Sequence, residues 1–133
     1  PASVTDRLNN TYEHVFHFVL NKKYFFDLDA IKILGANGRM KNPGDVWAIN
    51  TQPLNGSHTA TFPEQLVEQI VLCGSPKGGV VFDPFLGTGT TWIASDRLGR
   101  SCIGFEINQE FFDFAQRRFK ESRELEQCQL PIS

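Results

Sequence analysis

The spacing of apolar and polar positions changes character several times along this chain. From Glu13 to Asp27 it alternates, with Val15, Val19 and Tyr24-Phe25-Phe26 on either side of Asn21-Lys22-Lys23, a pattern that predicts a β-hairpin. Periodicity then disappears: residues 35–57 hold four glycines, four asparagines and two prolines and read as a long loop, a class that is usually functional or mobile. A helical period begins at Thr61. Thr61-Phe62-Pro63-Glu64 has the spacing of a capping box with proline in the first turn, Leu66, Val67, Ile70 and Val71 form an apolar stripe, and Gly74 is placed as the stop. The apolar run Gly79-Val80-Val81-Phe82 is short enough for one buried strand, and a helix from Thr90 to Leu98 follows it. A strand over 101–107 leads to a last helix from about Gln109. Its Phe111, Phe112, Ala115 and Phe119 share one side, Arg117, Arg118 and Lys120 suit its C-terminal dipole, and the polar tail after Glu121 is expected to fray. Strands alternating with helices predict an α/β fold.

The chemistry concentrates between the first of these strands and its helix, in Asp83-Pro84-Phe85-Leu86-Gly87-Thr88-Gly89-Thr90-Thr91. A strand ending on a carboxylate and turning through two glycines brings backbone N–H groups and one negative charge close to a ligand. Such turns hold pyrophosphate in dinucleotide sites, but an Asp at the strand end repels phosphate and suits an ammonium group. The third glycine of the dinucleotide fingerprint is also absent, Trp92 standing in its place. A second acid, Glu106, closes the next apolar run, Cys102-Ile103-Gly104-Phe105, where a ribose diol is usually held. Ammonium plus ribose without phosphate describes S-adenosylmethionine. Read blandly, Asp83 is a helix-cap acid and Glu106 an ordinary strand-end acid, but the glycines between Asp83 and the helix favour the ligand reading.

Composition narrows the picture further. The chain has 133 residues, enough for one domain with a modest core, and 41% hydrophobic with 21% charged residues is ordinary for a globular protein. A formal net charge of −2 gives no global nucleic-acid signature, so any DNA contact must come from a local patch. Cys73, Cys102 and Cys128 lack metal-ligand spacing and fit a reducing compartment, which predicts a cytoplasmic protein. No apolar stretch approaches the ~18 residues of a membrane span. His14 and His17 invite a metal reading, but i and i+3 on a strand point to opposite faces, so no metal site is expected.

Three segments, Asp83–Thr91, Gly104-Phe105-Glu106-Ile107 and His58-Thr59-Ala60-Thr61-Phe62-Pro63, resemble signature motifs of the DNA amino-methyltransferases, which methylate N6 of adenine or N4 of cytosine. Lys41-Asn42-Pro43-Gly44-Asp45-Val46-Trp47 resembles a segment preceding the His motif in many members. Asp6 to His14, continuing through Lys23 to Asp27, resembles the hairpin upstream of their target-recognition region. The motif order is the permuted β-type order. The resemblance runs from Asp6 to about Phe119. It implies a partial Rossmann-like methyltransferase fold with an N-terminal hairpin, arranged as one domain over residues 1–133: hairpin 1–30, target-recognition-like loop 31–57 and cofactor-binding part 58–125.

The resemblance assigns S-adenosylmethionine contacts to His58, Thr59, Ala60, Thr61, Phe62, Asp83, Phe85, Gly87, Thr88, Gly89, Thr90, Thr91, Glu106 and Ile107. It places Lys32, Arg39 and Lys41 where phosphate of double-stranded DNA would be met, although charge runs are usually a solvated face. It implies a site-specific enzyme of the kind found in restriction–modification. The family's catalytic tetrapeptide, Asp/Asn/Ser-Pro-Pro-aromatic, is absent, since no Pro-Pro pair occurs in the chain. No catalytic residue is therefore assigned, and the expectation is the C-terminal portion of a longer enzyme, inactive alone. Carbon-5 methylation of cytosine is excluded because no cysteine follows a proline. The apolar strand Val80–Phe82 is expected to be buried on both faces, with its open edge covered by the missing N-terminal half or a second copy. The alternatives are a stand-alone or split cofactor- or DNA-binding subunit and a small-molecule methyltransferase, the latter disfavoured by the recognition-like loop.

Overall fold

A computed structural model describes Asp6, residues 11–50 and residues 62–129. A short 3-10 turn, Asp29–Ile31, precedes two strands, β1 (Ile33–Leu34) and β2 (Met40–Lys41), which pair antiparallel. Helix α1 (Glu64–Gly74), strand β3 (Val80–Asp83), helix α2 (Thr90–Arg97), strand β4 (Ser101–Gly104) and helix α3 (Gln109–Gln129) follow. β3 and β4 run parallel in the register Val80–Ser101, Val81–Cys102, Phe82–Ile103 and Asp83–Gly104. The α/β reading therefore holds from residue 64 onward, with α2 as the crossover between neighbouring parallel strands.

The hairpin expected over residues 13–27 takes a different form, because no strand is formed between residues 11 and 28. Side chains two apart do meet, as on an extended chain: Tyr12 with His14, His14 with Phe16 and Phe16 with Phe18, at ring-centre distances of 5.2, 5.8 and 6.2 Å. The chain bends over residues 20–23, and His17 meets Tyr24 and Phe26 across that reversal at 5.2 and 5.5 Å. The alternation thus organises rings rather than a backbone ladder. An isolated two-stranded hairpin is marginal without a further surface to cover it. Part of the expected loop 35–57 is ordered instead, since β1 and β2 close around residues 35–38 through the Gly35 N–H to Arg39 O bond of 2.8 Å.

Helix α1 also departs from its sequence signature. Pro63 occupies the N-cap position and no side chain caps the helix, while Thr61 lies outside the described residues. Gly74 is the last helical residue rather than the stop beyond it, and the Ser75 N–H reaches back to Val71 O at 3.1 Å. Val67 and Val71 of α1 bury against Ala94 of α2, with Val81 of β3 and Leu98 packed alongside. Residues before α1 join this body where the Asp27 N–H donates to Cys73 O (2.8 Å), beside buried Ile31.

Both helices of that core cover the Val81 side of β3. The opposite side carries Val80 (61% exposed), Phe82 (60%), Ile103 (53%) and Phe105 (62%), so the burial expected on both faces is found on one. The reason is local: successive residues of a strand face opposite ways, and no described element lies over the even-numbered positions of β3. β3 has one strand neighbour, β4, among the described residues.

α3 reaches Gln129 instead of fraying after Glu121. Its last turns are fastened to α2: the Arg97 guanidinium donates to Ser122 Oγ (3.4 Å) and Glu126 Oε1 (3.3 Å), and Arg123 meets Asp96 at 3.5 Å. Arg97 also reaches Glu64 and Glu68 of α1, each at 3.2 Å, while Trp92 and Phe119 stack at 4.1 Å. Among the described residues no helix is long and apolar enough to cross a membrane.

Arg97→Met should remove this three-helix network while keeping much of the stem's packing. Because the group is more than a third exposed, solvent screening limits the loss to about 1 kcal/mol, shrinking as salt rises. Urea unfolding at low and high salt measures it, and an equal loss at both would mean that packing rather than charge is responsible.

Candidate functional site

The C-terminal ends of β3 and β4 lie side by side, the place where open α/β sheets bind their ligands. The parallel pairing continues past the strands, through the Phe105 N–H to Asp83 O (3.0 Å) and the Leu86 N–H to Phe105 O (2.8 Å). Each chain thereby carries its acid to the same rim. Asp83 Oδ1 accepts the Phe85 N–H at 2.9 Å, which shapes the start of the turn; its other oxygen has no partner among the described residues. Glu106 is held on both sides, accepting the Gly87 N–H at Oε2 and the Asn108 N–H at Oε1, each at 2.8 Å. Four lone-pair sites on a carboxylate leave further capacity on both oxygens. Neither acid is paired with a basic side chain among the described residues.

Glycine is required at particular points here. Gly87 and Gly89 have φ of +55° and +82°, which L side chains rarely adopt, and a Cβ at Gly87 would meet only Phe85 O, at 3.8 Å. At Gly89 a Cβ would stand 2.9 Å from the Cβ of Ala115, so α3 touches the turn with no room between. At Gly104 it would lie 2.7 Å from Leu86 Cδ1, and the missing side chain lets buried Leu86 close the base of the turn against β4. Gly89 is also the N-cap of α2 and supplies no side-chain cap, leaving the helix's positive end at the same rim as the two acids.

The residues expected from the sequence are therefore distributed unequally. Asp83, Phe85, Gly87, Thr88, Gly89, Thr90, Thr91, Glu106 and Ile107 all fall on or beside this one rim, with Phe85 and Ile107 exposed. Thr88 and Thr90 are buried, and their hydroxyls accept from Arg118 at 3.3 and 3.4 Å. Phe62 is exposed two positions before α1, with no bond to the turn among the described residues; His58, Thr59, Ala60 and Thr61 lie outside the described residues. Lys41 of β2 and Arg39 just before it are exposed. Lys32, at the end of the 3-10 turn before β1, is paired with Asp29 at 2.5 Å. No group of three or more His, Cys, Asp and Glu gathers among the described residues.

Sequence reasoning missed Leu86, Gly104, Ala115 and Arg118 as parts of the site's support. Arg118 had a signal: it lies seven residues after Phe111 and three after Ala115, on the apolar side of α3, where an arginine needs a buried partner.

Comparison with known proteins supplies an independent finding. A DNA methylase family (N6/N4) matches residues 1–117. The chain is 42% identical over 125 residues to the Type II methyltransferase M.SmaI of Serratia marcescens, spanning 92% of this chain and 43% of that protein. It is 35% identical over 120 residues to M.Cfr9I of Citrobacter freundii, spanning 90% and 40%. The chain thus spans less than half the length of these relatives. A solved structure, the cytosine-N4-specific PvuII DNA methyltransferase, superposes with a TM-score of 0.60 over 76% of this chain and 40% of that one, at 22% identity, which shows a shared fold.

The thiols report the polarity beneath the rim. Burial pushes the Cys102 thiol up, the Asp83 charge adds to the shift, and the Ser95 hydroxyl opposes it; burial also raises Cys73. Cys128 is exposed. Thiolate is the reactive form, so at neutral pH iodoacetamide should label Cys128 first and Cys102 and Cys73 much later, their rates climbing only as pH rises above the ordinary thiol range. Mass spectrometry of timed digests reads this order, and early labelling of Cys102 would mean that β4 opens readily.

Proposed function

The chain belongs to the DNA methylase family of N6/N4 amino-methyltransferases, and from that premise we propose that it carries the S-adenosylmethionine-binding part of an enzyme methylating the exocyclic amine of adenine or cytosine in DNA. The observation behind this reading is the pair of acids at one glycine turn, Asp83 accepting the Phe85 N–H and Glu106 the Gly87 N–H, with no cationic side chain on either among the described residues. The donor set fits the cofactor. Asp83 presents a free carboxylate oxygen for an ammonium group, Glu106 has spare acceptor capacity for two ribose hydroxyls, and the uncapped end of α2 suits a carboxylate. Exposed Phe85 and Ile107 offer apolar surface for a purine ring. The two acids make the same rim a poor phosphate site.

When bound, the cofactor supplies an electrophilic methyl group at its sulfonium. The work of this chain's residues is to bind and orient, with the turn fixed before the ligand arrives. His58 to Phe62 would complete the methionine end. Arg39 and Lys41 on the β1–β2 ribbon would meet DNA phosphate, with Lys32 contributing less because Asp29 already neutralises it. Holding the target base falls to the Pro-Pro-aromatic motif, which this sequence does not contain. We place that motif in the remaining part of the enzyme; that part, or a second copy of this chain, would cover the open sheet. The exposed face of Val80, Phe82, Ile103 and Phe105 and the open edge of β3 support such a partner. The location that goes with this function is the cytoplasm.

Calorimetric titration with S-adenosylmethionine tests the cofactor assignment. Asp83→Ala and Glu106→Ala should each weaken binding by roughly 1.5–3 kcal/mol, the worth of a hydrogen bond to a charged group. Unchanged affinity in both variants would remove the site from this rim.

The 133-residue chain alone should transfer no methyl group to mixed-sequence DNA from tritiated cofactor. Turnover above a boiled control would show that the active site has been misplaced. Binding of cofactor without turnover, even beside a portion carrying the catalytic motif, would favour a stand-alone binding subunit.

A further inference from the structure

We propose that Arg118 is a positioning residue for the glycine turn, fixing its shape and tying it to the start of α1, so that ligand affinity depends on a side chain that does not touch the ligand. The inference rests on the cofactor reading of the turn given above. Arg118 Nη1 donates to Thr88 O at 2.7 Å and lies 3.3 and 3.4 Å from the Thr88 and Thr90 hydroxyl oxygens. Its Nη2 donates to Glu64 Oε1 at 3.2 Å, and the side chain is 13% exposed.

The geometry explains why one guanidinium matters. Thr88 O and Gly89 N–H belong to a single planar peptide between the two left-handed glycines. Arg118 holds the carbonyl end of that plane, and Leu86 O accepts the Gly89 N–H at 2.9 Å. With Gly87 N–H taken by Glu106, the turn's peptide planes are anchored from opposite sides. Glycines otherwise make this the most easily rotated backbone of the site. One turn earlier on α3, Ala115 is fully buried against Gly89, so the helix that carries Arg118 cannot recede without opening that contact.

Arg118 also links two segments distant in the chain. Glu64 is the first residue of α1, two positions after Phe62, and its other oxygen is taken by Arg97 at 3.2 Å. The start of α1 and the glycine turn are thus joined through Glu64 and Arg118. Burial disfavours the charged guanidinium, and Glu64 and Glu121 act against that cost. A lysine has one donor centre where this site uses a planar fork reaching in two directions.

The test compares Arg118→Met, Arg118→Lys and Glu64→Gln with Arg97→Met, whose side chain joins the same helices without reaching the turn. S-adenosylmethionine affinity is measured by calorimetry at a temperature where circular dichroism shows each variant folded, and amide hydrogen exchange at Gly87 and Gly89 is measured without ligand. Expected are an affinity loss of about tenfold or more in Arg118→Met, partial recovery in Arg118→Lys, and faster exchange at Gly89 in both. Arg97→Met should lower the melting temperature and leave affinity and Gly89 exchange unchanged. Wild-type affinity in Arg118→Met overturns the proposal, as does a loss in Arg97→Met equal to that in Arg118→Met at matched stability. If the unsubstituted protein does not bind the cofactor, the cofactor reading fails instead, and Gly89 exchange alone decides: unchanged protection in Arg118→Lys or Arg118→Met overturns the positioning role. Should Arg118→Met not fold, Arg118→Lys carries the same comparison.

Discussion

The bond from the Gly87 N–H to Glu106 Oε2 is the interaction on which the arrangement of this molecule turns. It joins the loop after β3 to the end of β4 at the point where regular pairing stops, so the acid of one strand shapes the turn of the other. Because backbone donates to carboxylate, the acid is oriented without a basic side chain. Everything nearby is arranged around that clip. Gly104 makes room for Leu86, Gly89 makes room for Ala115, and Arg118 holds the carbonyl that the clip leaves free to rotate.

The helices form the rigid base of this turn. α1 and α2 share a small apolar core with Val81, and Arg97 extends their contact to α3 through charged groups of both signs. Surface ion pairs of this kind contribute little individually. Their use here is geometric, since they fasten to α2 the helix α3 that touches the turn at Ala115. Glu64 serves both arginines, so the fastening of the helices and the fastening of the turn meet in one carboxylate.

The sheet is the incomplete part. Two parallel strands with one covered face leave Val80, Phe82, Ile103 and Phe105 in contact with solvent, an arrangement parallel sheets rarely tolerate. The relatives are more than twice as long as the stretch this chain matches, and the PvuII enzyme shares its fold over most of the described body. A chain that carries the acidic rim while leaving a face and an edge of its sheet open among the described residues is suited to completion by another segment.

Local sequence determined the turn. A carboxylate, two glycines and a helix start are short-range features, and backbone sterics alone dictate glycine where φ is positive, so Asp83, Gly87, Gly89 and the order β3–α2–β4 were legible without coordinates. So was Glu106, because it ends an apolar run as Asp83 does. Local patterns misled where stability depends on a neighbour. The alternation of residues 13–27 produced stacked rings and no ladder, and α3 outran its polar tail because Arg97 and Asp96 of α2 meet it there. Only the tertiary structure showed that Glu106 already holds Gly87, that Thr88 and Thr90 turn their hydroxyls to Arg118, and that Lys32 is spent on Asp29. Which side-chain atoms meet across 19 or 30 residues follows from how the helices dock, and no periodicity in the chain encodes that distance directly.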